Sequence, residues 1–339
     1  MIKKLLLLFS LSCLPSLAAT NYYISTSGND STGNGSQGSP WATLSKSLSA
    51  IPSTLTDSYV VNVAAGTYAE GVDASGFIGD GGKTLTILGD EGNPGGASFT
   101  GSVACNPDSS VLPSINTPSA VCAAGPVALV LKGITINATA RNGIGCTECV
   151  VVLDDVVISG STTAGVNVSH GRVTIRDNVT ISGFSSSGGF GLYLAHGAVA
   201  IQDKAGTLTI TGPGGGSTTA LGIVEEFSAT YTILSSGSTN ISVTGVQIGF
   251  LLSSTSSFNS FVSTGTISAT NSTTPTSSQG VYTTAASSFN VAGAGLTVDH
   301  FTTCLWAYTL SVIDQGPGNR TLSNCTQTAS AQGSQIVIY

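Results

Sequence analysis

Two of the chain's three histidines, His170 and His196, each stand five residues after a glycine, Gly165 and Gly191. Glu148 has the same offset from Gly143, and Glu226 stands four residues after Gly222. Histidine and glutamate within hydrogen-bond reach can serve as base and acid. Gly171 and Gly197 follow the two histidines directly, so the same positions also read as a solvated turn. Arg172, next in line, would offer a cation to a carboxylate-bearing sugar. Glu148, His170, His196 and Arg172 are therefore the catalytic candidates. Further along, Asp155, Asp177 and Asp203 align, preceded by Asp154, Arg176 and Gln202; Asn178 and Lys204 follow the last two. Carboxylates stacked on successive strands repel unless a cation or nearby base intervenes. Calcium, which takes oxygen ligands, would suit such a column. The plainer reading is a stacked turn in which each Asp bonds its own backbone.

These alignments presuppose a repeat. From Ala128 onward a unit recurs: Gly, an aliphatic or aromatic residue, alternation, a polar turn, a second alternating run, then Ser/Thr-Gly. It opens at Gly143, Gly165, Gly191, Gly222, Gly249 and Gly280, with spacings of 22, 26, 31, 27 and 31 residues, and Cys304 opens a seventh unit. Periods of roughly 20–50 residues mark solenoids, propellers and arrays. Two short strands per unit, no helix and variable turn insertions favour an all-β parallel solenoid. Equivalent positions would then stack about 4.8 Å apart. The residue after each unit Gly is Ile144, Val166, Leu192, Ile223, Phe250, Val281 and Leu305, all apolar and so inward. By alternation the next position points outward: Gly145, Asn167, Tyr193, Val224, Leu251, Tyr282 and Trp306. An outer apolar stripe marks an interaction site or something lying over it. Tyr193, Tyr282 and Trp306 are its amphipathic rings, suited to carbohydrate or to a protein interface.

Composition sets the limits. Of 339 residues only 8% are charged and 43 are Gly, with 17 Asp+Glu against 10 Lys+Arg. That excludes a coiled coil or helical bundle, and 41% hydrophobic residues argue against disorder. The acidic balance removes the electrostatic basis for nucleic-acid binding. Lys3 and Lys4, the apolar run Leu5 to Leu11, and Ser16-Leu17-Ala18-Ala19 have the order of a secretory signal. Residues 1–19 are therefore read as a signal peptide, residues 20–339 as one mature domain that is secreted, periplasmic or on the cell surface. No later apolar run is long enough for a membrane span. Six of the seven cysteines follow the signal, and an even count in an oxidising compartment favours disulfides. Cys304 and Cys325, 21 residues apart, are expected to join adjacent turns of the solenoid. The pairing of Cys105, Cys122, Cys146 and Cys149 stays open, with a zinc site using Cys146-x-x-Cys149 together with Cys105 and Cys122 as the alternative.

Near the start, Trp41, Leu44, Leu48 and Ile51 make one apolar helix face, with Ser39-Pro40 as its start signal. Residues 90–125 read as loop. Tyr22-Tyr23-Ile24-Ser25-Thr26-Ser27-Gly28-Asn29-Asp30, Ser39-Pro40-Trp41-Ala42-Thr43-Leu44 and Asn62-Val63-Ala64-Ala65-Gly66-Thr67-Tyr68-Ala69-Glu70 resemble the opening of the right-handed parallel β-helix superfamily. That superfamily includes pectate lyases, pectin esterases, polygalacturonases and phage tailspikes. The resemblance implies a single-stranded right-handed β-helix, with an N-terminal cap over residues 20–58 and rungs over 59–339. A helix at about residues 40–51 would close the first rung. No family active site comes with it. Asp154-Asp155 and Ser169-His170-Gly171 are present, but Asn-Thr-Asp and Arg-x-Lys, which polygalacturonases carry in addition, are not. The reading favoured by the residues is an exported, non-catalytic β-helix presenting a long face to polysaccharide or cell-surface glycan, or to its own copies as a homotrimer. A lyase or hydrolase acting on an acidic polysaccharide is the alternative.

Overall fold

The computed structural model describes residues 19–79, 81–104, 118–214, 219–234, 237–260, 264–316 and 319–338. The expected signal segment falls almost wholly outside these residues, as does Cys105. The chain winds into a right-handed parallel β-helix with three faces. One face is the 11-stranded sheet, which carries the unit glycines and is called here the glycine face. The other two belong to one 19-stranded sheet, because Ala128–Asn137, Val150–Ser159 and Arg172–Ser182 each run along both. Later turns of the chain split that run. Val199–Gln202 then lies on the middle face and Gly206–Thr211 on the last face, both paired with Arg172–Ser182. The core fills the tube with Leu, Ile, Val and Phe from all three faces. Phe250, Phe258 and Phe289, for example, meet at ring centroid distances of 4.8–5.5 Å.

The inward ladder forms as the repeat predicts: Ile144, Val166, Leu192, Ile223, Phe250, Val281 and Leu305 pair in register. Val121 precedes them and Ala329 follows. The glycines have a packing reason. A Cβ on Gly165 would lie 2.1 Å from Ile181 Cγ2, and one on Gly191 2.4 Å from Ile210 Cγ2. Both neighbours belong to the last face, so the glycine face can approach it only where the side chain is absent. Cys304 stands in the glycine's place near the C-terminal end. It is bonded to Cys325, as expected, with Cα atoms 5.8 Å apart.

Each corner between faces uses backbone in the left-handed region. Between the glycine and middle faces stand Glu148, His170, His196, Phe227, Ser254, Ala285 and Thr309, with φ of 52–56°. Between the middle and last faces stand Gly133, Asp155 and Asp177, with φ of 62, 53 and 45°. Asp and His tolerate this conformation better than most residues. Two of the ladders singled out for chemistry are therefore corner ladders.

At the N-terminal end Thr20–Ile24 pairs with Tyr59–Val63, so the cap contributes a strand. The helix is shorter than its apolar face predicts, Leu44–Ser49, and its N-cap is Thr43 rather than Ser39. Trp41 and Ile51 flank it and are buried all the same. Asp30 holds its entry, accepting from the backbone of Ala42 and Thr43 and from the Thr43 hydroxyl at 2.8, 3.2 and 2.7 Å. Burial pulls the Asp30 carboxyl upward, but these donors outweigh it and hold the group below the usual range. Residues 90–125 are not all loop: Ala97–Phe99, Val103–Ala104 and Pro118–Ala124 are strands.

Candidate functional site

The corner after the glycine face brings the predicted histidines together. His170 and His196 stack at 5.2 Å, and His196 stacks on Phe227 at 4.8 Å. Ser169 Oγ lies 3.1 Å from Nδ1 of His170 and 3.3 Å from Nδ1 of His196. Glu148 occupies the same corner one turn earlier, its N–H donating to Ser169 O at 3.1 Å. Glu148, His170 and Arg172 line one open groove of about 530 Å³ with Lys83 and Gly197. His196 is not part of that lining. Glu226 leaves this ladder altogether: Glu225 pairs with Leu194, so Phe227, not Glu226, follows His196. Ring stacking and left-handed backbone account for the His–His–Phe column as corner structure.

The second corner is a lattice of opposed charges. Lys132 pairs with Asp154 at 3.1 Å and Glu91 at 3.0 Å. Arg176 grips Asp203 with two hydrogen bonds, 3.0 and 2.9 Å, and Lys204 pairs with Asp177. Asp203 thus sits one position from its expected place, level with Arg176 and Asp154 rather than with Asp177. The cause is a turn insertion. One residue, Gly171, separates His170 from Arg172, whereas Gly197 and Ala198 separate His196 from Val199, the partner of Arg172. Asp154, Asp155 and Asp177 do bring carboxylate oxygens within 4.8 Å of one another. Burial pushes Asp154 up despite Lys132, while the Lys204 ammonium draws Asp177 down. The donor set fits calcium poorly. The ion takes about six to eight oxygens, and here Lys132 and Lys204 already supply positive charge among three carboxylates. A chelator is accordingly expected to leave the melting temperature unchanged. A chelator-dependent fall, reversed by calcium, would show a cation in this column.

The outward ladder lies on the glycine face in the predicted order: Gly145, Asn167, Tyr193, Val224, Leu251, Tyr282 and Trp306, followed by Ser330. Tyr193 stands between the smaller Asn167 and Val224, and its ring stacks on Phe190 at 5.1 Å. Around them opens a cavity of about 260 Å³ lined by Arg141, Asn142, Asn167, Phe190, Tyr193 and Glu226, among others. The Tyr193 hydroxyl donates to Glu226 Oε2 at 3.0 Å, and Ser253 Oγ donates to Glu226 Oε1 at 3.4 Å. Burial, with the Glu226 charge added, pushes the Tyr193 phenol up, so it remains a protonated donor. Tyr282 and Trp306 pack with ring centroids 5.2 Å apart and planes tilted by 32° further along the same ladder. Trp306 Nε1 is buried without a hydrogen-bond partner.

Sequence reasoning placed Tyr193, Tyr282 and Trp306 on one face. It missed Arg141 and Phe190, which precede the unit glycines and share the outer side. The spacing carried that signal, since Phe190 follows Asn142 and Ala164 in register. Cys146 and Cys149 form a disulfide with Cα atoms 5.7 Å apart, which overturns the zinc alternative. Among the described residues no helix is long and apolar enough to cross a membrane.

No protein-family model matches the chain, and no curated protein matches it in sequence. One solved structure that it resembles is a chain named rhamnogalacturonan lyase, at 12% identity and a TM-score of 0.47. The match covers 89% of this chain and 74% of that one.

Proposed function

We propose that the protein is an exported, non-catalytic β-helix that binds carbohydrate on the outer side of its glycine face, with the notch around Tyr193 as the principal subsite. The observation that carries this reading is the notch itself. Two stacked rings form an apolar wall, and Arg141, Asn142, Asn167, Tyr193 and Glu226 supply donors and an acceptor around it. An apolar wall with a few placed polar groups is the usual make-up of a small-molecule site, and it matches a sugar ring with its apolar face and hydroxyl rim. The pocket is a poor hydrolase. Glycoside hydrolysis needs two carboxyl groups flanking the bond, and Glu226 is the one carboxylate in the lining. The Tyr193 phenol is held protonated and is no base.

The groove lined by Glu148, His170 and Arg172 favours a second reading, a lyase or hydrolase acting on an acidic polysaccharide. Purified mature protein should be incubated with neutral and acidic polysaccharides while retention, new reducing ends and unsaturated uronate absorbance are followed. Retention without products is the expected result. Product release would favour the groove.

A further inference from the structure

We propose that one extended, uncharged saccharide chain lies along the solenoid axis over the glycine face, engaging the Tyr193 notch and the Tyr282–Trp306 pair together. This rests on the reading of that face as the carbohydrate site and adds the ligand's class, direction and length. The two aromatic groups stand on a single ladder. Three rung steps separate Tyr193 from Tyr282 and a fourth leads to Trp306. At about 4.8 Å per step that is roughly 14 and 19 Å. The rise of one pyranose in an extended chain is close to one rung step, so successive sugars would meet equivalent positions.

Between the aromatic groups the ladder is apolar. Val224 is buried there at 1% exposure, and the partly exposed side chains are Leu251 on the ladder and Leu221 and Ile248, which directly precede the unit glycines. Polar groups gather at the notch, where Arg141, Asn167 and Glu226 join the buried Asn142. At the Tyr282–Trp306 end Gln279 and Thr303 are buried, and the two rings are the contact offered. Charge decides against a polyanion. The chain carries a formal −7, Glu226 stands in the notch, and Arg141 is the one cation in its lining. Ser330 follows Trp306, so beyond the pair the aromatic strip ends, which fixes the length of ligand that gains by binding.

The test is a series of linear β-1,4-linked gluco- and manno-oligosaccharides, from one to about eight sugars, with oligogalacturonates of equal length as the charged comparison. Affinity is measured by calorimetry on the mature protein. The expected result for a neutral series is a rise of tenfold or more up to about four or five sugars, the length needed to reach Trp306, then a plateau. Trp306→Ala and, independently, Tyr282→Ala should abolish the rise while leaving the short sugars' affinity unchanged. Both variants are checked by melting temperature, and Trp306→Phe should restore part of the gain. Neutral binding that is indifferent to length would overturn the axial chain but leave the notch standing. Tighter binding of oligogalacturonates would overturn the uncharged ligand. Binding of no saccharide, with self-association that Trp306→Ala dissolves, would overturn both this inference and the proposed function, giving the face to a second copy of the chain.

Discussion

Replacing Glu225 with leucine is expected to stabilise the protein at pH 8 by about 1–3 kcal/mol, the cost of a buried polar group left without a partner. Glu225 ends the strand Leu221–Glu225 and faces inward on the ladder Leu194–Glu225–Leu252. It is 0% exposed, and neither carboxyl oxygen has a hydrogen-bond partner of ordinary geometry; the backbone N–H of Tyr231 opposes only part of the cost of burial. Burial pushes its pKa well above the ordinary 4.5, because the charged form has no water to solvate it. Tyr231, also fully buried, is the titratable group set against it. A carboxyl whose folded pKa is raised contributes fully below its unfolded value, and that contribution is lost as pH rises through the folded value. The wild type should therefore lose stability from about pH 4.5 upward. Glu225→Gln keeps the shape and removes the titration, so its advantage over wild type should grow with pH. Urea unfolding of the three proteins at several pH values checks this. Leucine and glutamine variants that are less stable than wild type at every pH would mean that the carboxyl is engaged.

The second large effect is expected on the glycine face. Gly191→Ala should cost about 1–3 kcal/mol by overpacking, and Gly191→Leu should fail to fold. The Cβ would lie 2.4 Å from Ile210 Cγ2 and 2.9 Å from Gly222 O, and the second neighbour is backbone that cannot turn aside. The clash with Ile210 is separable. Combined with Ile210→Ala, which alone opens a cavity, Gly191→Ala should cost less than in the wild-type background, a coupling that a double-mutant cycle measures. Gly38 has nothing within 4 Å of the added atom, and Gly38→Ala should be nearly silent. Equal losses at Gly38 and Gly191 would refute close approach as the reason for the repeat.

The repeat was legible because its cause is local. A glycine forced by close approach, followed by an inward apolar residue, recurs at six successive turns before Cys304 and fixes both the inward and outward ladders. Between units the register depends on turn length, which composition does not reveal. The extra Ala198 moved Asp203 by one position and put it in the grip of Arg176 instead of beside Asp177. The His and Asp ladders drew notice because those residue types do chemistry. The same types also accept left-handed backbone, and here they turn corners. Glu225 was overlooked although its offset matches Val168 and Leu194, both inward; the neighbouring Glu226 attracted attention as an acid. The short helix shows a further limit. Trp41 and Ile51 belong to its apolar face without belonging to the helix, because burial extends beyond the hydrogen-bonded turns.

The central claim is that ligand meets the outer side of the glycine face and not the corner after it. The direct measurement compares saccharide affinity in Tyr193→Ala and His170→Ala, each verified as folded by its melting temperature. The account predicts a loss of at least about tenfold for Tyr193→Ala, since one tenfold step corresponds to about 1.4 kcal/mol and the substitution removes both the ring and the hydroxyl on Glu226. His170→Ala should bind as the wild type does. Undiminished binding in Tyr193→Ala together with loss in His170→Ala would contradict the account and move the site to the groove of Glu148, His170 and Arg172.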